Sequence, residues 1–502
     1  MLCAQVIAVK PGTGAAVPPR GCGYVTTMTE HEVDVVVIGM GPGGEYAAET
    51  LAGKGLAVAG VEARLVGGEC PYFACVPTKM MVRAAGLLAE ARRVPGMAGQ
   101  STVSPDWAPV AHRIREEATD DWDDKVAVDR FTGKGGRFFR GRGRITAPGE
   151  VTVGDQVLRA RRGIVVNIGT DPAVPPIPGL AEAPFWTNRE AVQAEHVPES
   201  LAVLGGGAVG VELAQVFARF GSQVTVVEAT DRLLPMDEPE SGALLADVFR
   251  REGIGVRTAS KVTEIQYDHG ATATGGSGGA GDAAAGAFTL RFDSGEPMTA
   301  QRLLVATGRR ADLAALGVGA VGIDESARTI PVDDHMRAAP GVWALGDITG
   351  HGAFTHMSAY EAEIVVDDIL SGGGPGAEYH AVPRVTFTDP EIGCVGLTEA
   401  QARERGLSVR TGTTQVPSSA RGWIHKAGND GFIKLVEDAE RGVLVGATSA
   451  GPAGGEVLSP LVLAVHAAVP AQRLRRMIYA YPTFHRAIGD ALADLSRHRP
   501  PA

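Results

Sequence analysis

Residues 34–44 read DVVVIGMGPGG and residues 201–210 read LAVLGGGAVG; these two stretches decide the fold. In the first, an apolar strand pattern runs straight into Gly39-x-Gly41-x-x-Gly44. A helical pattern, EYAAETLAGKG, follows, and then a second strand pattern, LAVAGVE, ending at Glu62. That order suits a pyrophosphate. Gly39 allows a tight turn, Gly41 lets the backbone approach the phosphates, and Gly44 lets the helix pack closely on the strand. The helix N-terminus adds free N–H groups and a partial positive charge. Glu62 lies 23 residues after Gly39, where an acid accepts both hydroxyls of a ribose.

The second stretch repeats the construction. Gly205-x-Gly207-x-x-Gly210 leads into the helix VELAQVFARFG and the strand SQVTVVE, ending at Glu228, again 23 residues past the first glycine. A single such loop is a weak signal in a glycine-rich chain. Two copies, each with strand, helix, strand and acid in register, predict two bound dinucleotides on α/β units with parallel sheets. An acid at the end of the second strand repels a 2′-phosphate, so Glu228 favours NADH. Arg232, four residues on, keeps NADPH open.

Outward from the loops, composition narrows the class. The 502 residues are 44% hydrophobic and 21% charged, close to the globular average, which excludes general disorder. A net charge of −11 argues against nonspecific nucleic-acid binding, which depends on phosphate neutralisation. Five cysteines are too few for a disulfide scaffold, and an odd count fits a reducing cytoplasm. No run of apolar residues is long enough to span a membrane. LSPLVLAVHAAV (458–469) reads as a buried amphipathic helix. Residues 1–30 lack the apolar core of a secretory signal and read as a flexible tail, with Met28 a candidate start of translation. The stretches 271–287 (ATATGGSGGAGDAAAGA) and 371–378 (SGGGPGAE) read as a flexible insertion and an interdomain linker.

Between the loops lies GGECPYFACVPTK, with Cys70 and Cys75 five positions apart. The spacing does not suit a zinc site, and no second cluster completes four ligands. It is compatible with a disulfide at the start of a helix, where the dipole lowers a thiol pKa from ~8.5 into roughly 3.5–7.5. Two inert core cysteines are the bland alternative.

GGECPYFACVPTK resembles the redox-disulfide motif of the FAD-dependent pyridine nucleotide-disulfide oxidoreductases, the class I family that includes mercuric reductase and dihydrolipoamide dehydrogenase. The resemblance runs from about residue 33 to 495. It includes both glycine loops, ATGRR (306–310), WALGDITG (343–350) and PRVTFTDPEIGCVGLTE (383–399). It implies two Rossmann-like domains, for FAD and NAD(P), followed by an α+β dimerisation domain. The implied boundaries are 31–179 and 308–378 for FAD, 180–307 for NAD(P) and 379–502 for dimerisation. Electrons would pass from NADH or NADPH through the flavin to the Cys70–Cys75 pair. Cys75 is then the thiolate against the flavin, and Cys70 the exposed thiol that attacks the substrate. Asp347 would hold the ribityl chain, and Lys79 would pair with Glu212 near the flavin. The family also implies a homodimer with a shared active site. Cys394 falls in a strand of the last domain and reads as a small core residue.

The pattern breaks near the C-terminus. Disulfide-reducing members carry roughly HxHPTxxE, whereas this chain has YAYPTFHR (479–486). Tyr481 stands in the place of the catalytic histidine and Arg486 in that of the glutamate. An imidazole titrates near 6.5 and a phenol near 10, so a tyrosine is a poor base at neutral pH. His485 is four residues from the required position. A metal ion held by two thiolates needs less proton shuttling, and soft thiolates select soft metals. Mercuric reductases of the resembled family likewise lack the His–Glu pair and use tyrosines near the metal, so the resemblance implies Hg(II) as the lead acceptor, bound transiently by Cys70 and Cys75, with Tyr481 or Tyr479 nearby. Two features oppose this. The chain ends LSRHRPPA without the vicinal cysteines typical of mercuric reductases, and Cys3 and Cys22 are too far apart for a CxxC carrier motif. A dihydrolipoamide dehydrogenase or other disulfide or quinone reductase is the alternative, and a flavin-binding redox sensor without turnover is the alternative from another class.

Overall fold

The computed structural model describes residues 28–270 and 286–497. Most of the expected tail (1–30) and insertion (271–287) therefore lies outside the described residues. Their inner edges are corrected by what is described. Thr29 and Glu30 already belong to a strand and pair with Gln156 and Val157. Ala287 is buried as the first residue of a strand paired to Asp268. In both cases ladder hydrogen bonds extend order past the last apolar residue of the pattern.

The first domain is built on β1 (Thr29–Ile38), α1 (Pro42–Gly53), β2 (Val58–Glu62), α2 (Cys75–Arg93), β3 (Arg137–Arg140) and β4 (Gln156–Val166). Val33, Val35, Val36 and Val37 are wholly buried, as a parallel strand covered on both faces requires. The second domain follows with β5 (Ser200–Leu204), α3 (Ala208–Arg219), β6 (Gln223–Val227), α4 (Pro239–Arg251), β7 (Gly255–Arg257) and β8 (Arg302–Val305). Its four parallel strands lie in the order β7-β6-β5-β8. The chain then returns to the first sheet through β9 (Arg337–Ala339), β10 (Val342–Ala344) and α5 (Thr355–Ser371), giving the order β9-β10-β4-β1-β2-β3. Where the chain crosses between these two units, Asp171–Pro172 pairs antiparallel with Arg309–Arg310.

The last domain is an antiparallel five-stranded sheet. Its strands are β11 (Pro383–Thr386), β12 (Glu391–Gly396), β13 (Val409–Gln415), β14 (Phe432–Asp438) and β15 (Val443–Gly451), ordered β11-β12-β15-β14-β13. The helices α6 (Gly454–His466) and α7 (Arg486–Arg497) complete its core. The LSPLVLAVHAAV stretch falls mainly in α6, which buries Val457, Leu458, Leu461 and Val465 and leaves Leu463 exposed. The helix stops at His466, three residues short of the apolar run. The linker expected from 371 begins one residue later, because α5 extends through Ser371 before Gly372 caps it in the left-handed region. The whole is a mixed α/β protein of two Rossmann-like units and an α+β C-terminal domain. Among the described residues no helix is long and apolar enough to cross a membrane.

Ionic contacts dock the domains. Lys434 on β14 meets Glu238 and Glu240 at the start of α4 and Glu399 of its own domain. Arg219 on α3 holds Glu252 and Asp389.

Candidate active site

The two glycine loops are superimposable in their bonding. Gly39 N–H donates to Val61 O (2.8 Å), and Gly205 N–H to Val227 O (2.9 Å). Met40 N–H donates to Glu62 Oε2 (2.8 Å), and Gly206 N–H to Glu228 Oε2 (2.7 Å). Each acid takes a second backbone donor two residues ahead, Arg64 and Thr230. Both carboxylates are thus fixed beside their loops. Burial pushes the Glu62 carboxyl up despite these bonds.

The glycines have different duties. A Cβ on Gly39 or Gly205, both at positive φ, would stand 2.3 or 2.4 Å from a backbone oxygen of the adjoining segment. On Gly44 or Gly210 it would meet the first glycine's carbonyl at 2.0 Å. In front of Gly207 there is open space, and Gly41 faces only the Asn167 amide. The middle glycine is therefore kept for something outside the chain. Neither α1 nor α3 has a side-chain cap, although Thr187 and Thr398 cap their helices with full capping boxes. Uncapped N–H groups at a helix start are an anion site in waiting. Both loops fit a dinucleotide pyrophosphate.

Arg232 turns its guanidinium to Pro235 O (2.9 Å), and its Nε is buried without a partner. Asp347 accepts from Thr170 Oγ1 (2.6 Å), which accepts in turn from Arg309 Nε (2.8 Å). The ATGRR and WALGDITG segments are thereby brought together.

Cys75 is the first residue of α2, and Cys70 sits on the one-turn helix Glu69–Tyr72 just before it. Both are free thiols. In the single chain Cys75 is exposed and Cys70 half-buried. Glu69, beside Cys70, accepts from Arg189 Nε (2.7 Å) and Asn188 Nδ2 (3.2 Å), which fixes the short helix that carries Cys70. The Cys70 hydrogen bond, the Thr355 hydroxyl (3.3 Å) and the Lys79 charge bring the Cys75 thiol down to about 6. The same sulfur–sulfur hydrogen bond, together with burial, pushes Cys70 up. The pair is asymmetric: one thiolate, one thiol.

Lys79, one turn along α2, donates to Glu212 Oε2 at 2.6 Å. Glu212 is buried, and its other oxygen accepts from Phe387 N–H (2.8 Å), so it also ties α3 to the last domain. Cys394 is buried, and burial pushes its thiol up to about 12.

Two residues escaped sequence reasoning. Thr355 touches Cys75 from 280 positions away, and no local pattern announces it. Glu361 is fully buried on α5 and accepts from Gly346 N–H (2.6 Å), Thr349 Oγ1 (3.2 Å) and Tyr379 OH (2.8 Å), pinning the loop that carries Asp347. Its signal was legible, because an acid four residues after Met357 and four before Val365 lies on an apolar helix face.

The C-terminal arm divides the two tyrosines. Tyr479 is half-buried against its own domain's core and donates to Leu474 O (3.3 Å). Tyr481 is 75% exposed. Among the described residues no hydrogen bond or ring contact joins it to Cys70 or Cys75. Arg486 pairs with Asp490 on its own helix (3.1 Å).

Residues 33–363 match the pyridine nucleotide-disulphide oxidoreductase family, and residues 382–492 match the dimerisation domain of that family. The mercuric reductase of Acidithiobacillus ferrooxidans is 31% identical over 98% of this chain and 88% of its own. The dihydrolipoyl dehydrogenase of Chlorobaculum tepidum is 32% identical over 92% of this chain and 97% of its own. Among solved structures, the Cu(II) complex of the HOCl-induced flavoprotein disulfide reductase RclA from Escherichia coli aligns with a TM-score of 0.79 at 25% identity, covering 92% and 99% of the two chains. Members use FAD and NAD(P)H, and the dimerisation domain supports a homodimer. Matched along nearly its whole described length, the chain belongs to the pyridine nucleotide-disulphide oxidoreductase family.

Proposed function

We propose that the protein is an NAD(P)H-dependent flavoprotein reductase whose Cys70–Cys75 pair delivers two electrons to a thiophilic metal ion, with Hg(II) the leading acceptor. Gly39, Gly41, Gly44, Glu62 and Asp347 would hold FAD, and Gly205, Gly207, Gly210 and Glu228 the nicotinamide nucleotide. The flavin, when bound, supplies two-electron exchange between the nicotinamide and the dithiol. The fixed Glu228 carboxylate, with Arg232 turned to Pro235, supports NADH over NADPH.

The chain's own residues account for the rest. Cys75 provides a thiolate at neutral pH, and Lys79, held by Glu212, keeps a positive charge beside it. Cys70 provides the second sulfur. Binding of Hg(II) releases the Cys70 proton to solvent, and reduction of the bound ion to Hg(0) then takes two electrons from the two thiolates and leaves a disulfide, with no proton added to the acceptor. Dithiol–disulfide exchange differs, because each leaving sulfur needs a proton. General acid–base catalysis of that transfer is worth about 10²–10⁴-fold, and the arm offers Tyr481 where an imidazole would serve. That substitution is the observation that carries the reading.

The test is mercury-dependent NAD(P)H oxidation by purified protein in excess thiol, beside lipoamide, glutathione disulfide, quinone and Cu(II). A Hg(II) rate well above the background oxidase rate is expected, with lipoamide turnover negligible. Replacing Tyr481→His together with Arg486→Glu is expected to raise lipoamide turnover by roughly 10²-fold. Fast lipoamide turnover by the unaltered protein would favour the dihydrolipoyl dehydrogenase reading, which the 32% identical relatives also support. Cu(II) belongs in the screen because RclA was solved as a Cu(II) complex.

A further inference from the structure

Away from the dithiol, where the chain enters the last domain, two imidazoles and a carboxylate converge. The ligand atoms of Glu378, His380 and His466 all lie within 4.8 Å of one another, and all three residues are exposed. We propose that these residues form a surface site for a divalent transition metal of the Zn(II) class, separate from the redox centre.

Three features of the cluster carry this. First, His380 Nε2 lies 3.1 Å from the His466 backbone carbonyl. A carbonyl only accepts, so Nε2 carries a proton there and Nδ1 is the nitrogen left to face a metal. Metal-binding histidines commonly donate their second N–H in this way, which fixes tautomer and ring orientation. Second, that Nδ1 is 3.7 Å from Glu378 Oε2. In a tetrahedral site with bonds near 2.0–2.1 Å, neighbouring ligand atoms are about 3.3 Å apart, so little movement closes a cation between them. The His466 ring is nearly parallel to that of His380, at 5.6 Å between centroids, and its ligand nitrogen already lies within 4.8 Å of the other two ligand atoms. Third, His466 is the last residue of α6, where the partial negative charge of the helix end favours a cation. Glu378 is anchored as well, its N–H donating to Tyr360 OH at 2.8 Å.

Imidazole and carboxylate suit Zn(II), and three protein ligands leave a position for water. The set differs from the two thiolates proposed for Hg(II). A bound cation would clasp the end of the glycine-rich linker and the residues just after it to the end of α6.

The experiment is calorimetric titration of Zn(II) into the full-length flavin-loaded protein carrying Cys70→Ser and Cys75→Ser, so that the redox thiols do not compete. Saturable binding of a single Zn(II) per chain is expected. His380→Ala and His466→Ala, each added to that background, should weaken it by roughly tenfold or more, and the milder Glu378→Gln should weaken it too. Co(II) should give the intense visible bands of a four- or five-coordinate site, lost in the histidine variants. All three side chains are at the surface, and unchanged flavin content and circular dichroism would verify the fold. Absence of saturable Zn(II) binding, or equal affinity and stoichiometry in the His380→Ala and His466→Ala proteins, would overturn the proposal.

Discussion

Cys75 shows how one residue gathers chemistry from separated parts of the chain. Its place at the start of a helix could be read from the motif alone, because helix starts lower thiol pKa values. The strength of the effect could not be read. It depends on the Cys70 hydrogen bond, on Thr355 at 3.3 Å and on Lys79, and only the tertiary fold brings Thr355 to the site. With the thiol at about 6, alkylation of Cys75 by iodoacetamide in the reduced protein should rise to half its plateau near that pH. A free cysteine does so near ~8.5. Each partner stabilises the thiolate, so removing any of them moves the midpoint upward, with Cys70→Ser moving it furthest and Thr355→Val and Lys79→Met moving it less. Mass-spectrometric alkylation profiles of these proteins would check the order. A midpoint unmoved by Cys70→Ser would show that the sulfur–sulfur contact is not the main cause.

At the scale of elements, the glycine loops were the most legible part of the molecule. Turn, close approach and helix packing each demand a particular glycine, and the demand is written at fixed spacing. The structure separates those demands quantitatively. Gly207→Ala places its methyl in open space, so the fold should tolerate it, with a stability change within about 0.5 kcal/mol. The methyl would stand where phosphate oxygens must approach, so KM for NAD(P)H should rise at least tenfold while flavin content stays unchanged. Gly210→Ala drives a Cβ to 2.0 Å from the Gly205 carbonyl and should lower soluble yield and thermal midpoint before any kinetics are measured. Comparing KM and melting curves for the pair distinguishes a loop open to ligand from one merely packed. Lys434 tells the opposite story of legibility. A lysine in the run FIKLVED gives no hint that it is buried against three carboxylates from two domains. Lys434→Met leaves the buried Glu238 carboxylate without its cationic partner, keeping only the Glu399 N–H (2.7 Å), and breaking a buried pair costs roughly 3–5 kcal/mol. The thermal midpoint should therefore fall well below that of Gly207→Ala, and proteolysis should open the boundary between α4 and the last sheet.

At the scale of the whole molecule, one chain holds the dithiol and the arm but does not join them. The arm before α7 leaves Ile478 97% exposed and Tyr481 75% exposed, an unusual display of apolar side chains for a surface in water. The dimerisation domain supports a homodimer, and the expectation is that the second copy covers them. The sequence could place Tyr481 in a motif, but only the fold shows that its own subunit leaves it uncovered, while Tyr479, two residues away, is half-buried against the core. A complementation experiment follows from two-fold symmetry. In a dimer of one Cys75→Ser chain and one Tyr481→Ala chain, a site shared across the interface pairs an intact dithiol with an intact arm exactly once. The other site combines both defects. Random mixing makes half of the dimers mixed, so co-expression should restore about a quarter of the normal rate, while either variant alone stays low with Hg(II) as acceptor. If the arm served its own subunit's dithiol, every site in the mixed dimer would carry one defect, and co-expression would restore nothing. Ile478→Asp adds an independent arm to the test. By placing a charge in the covered patch it should shift sedimentation towards the monomer and abolish acceptor reduction, with flavin still bound to the first domain.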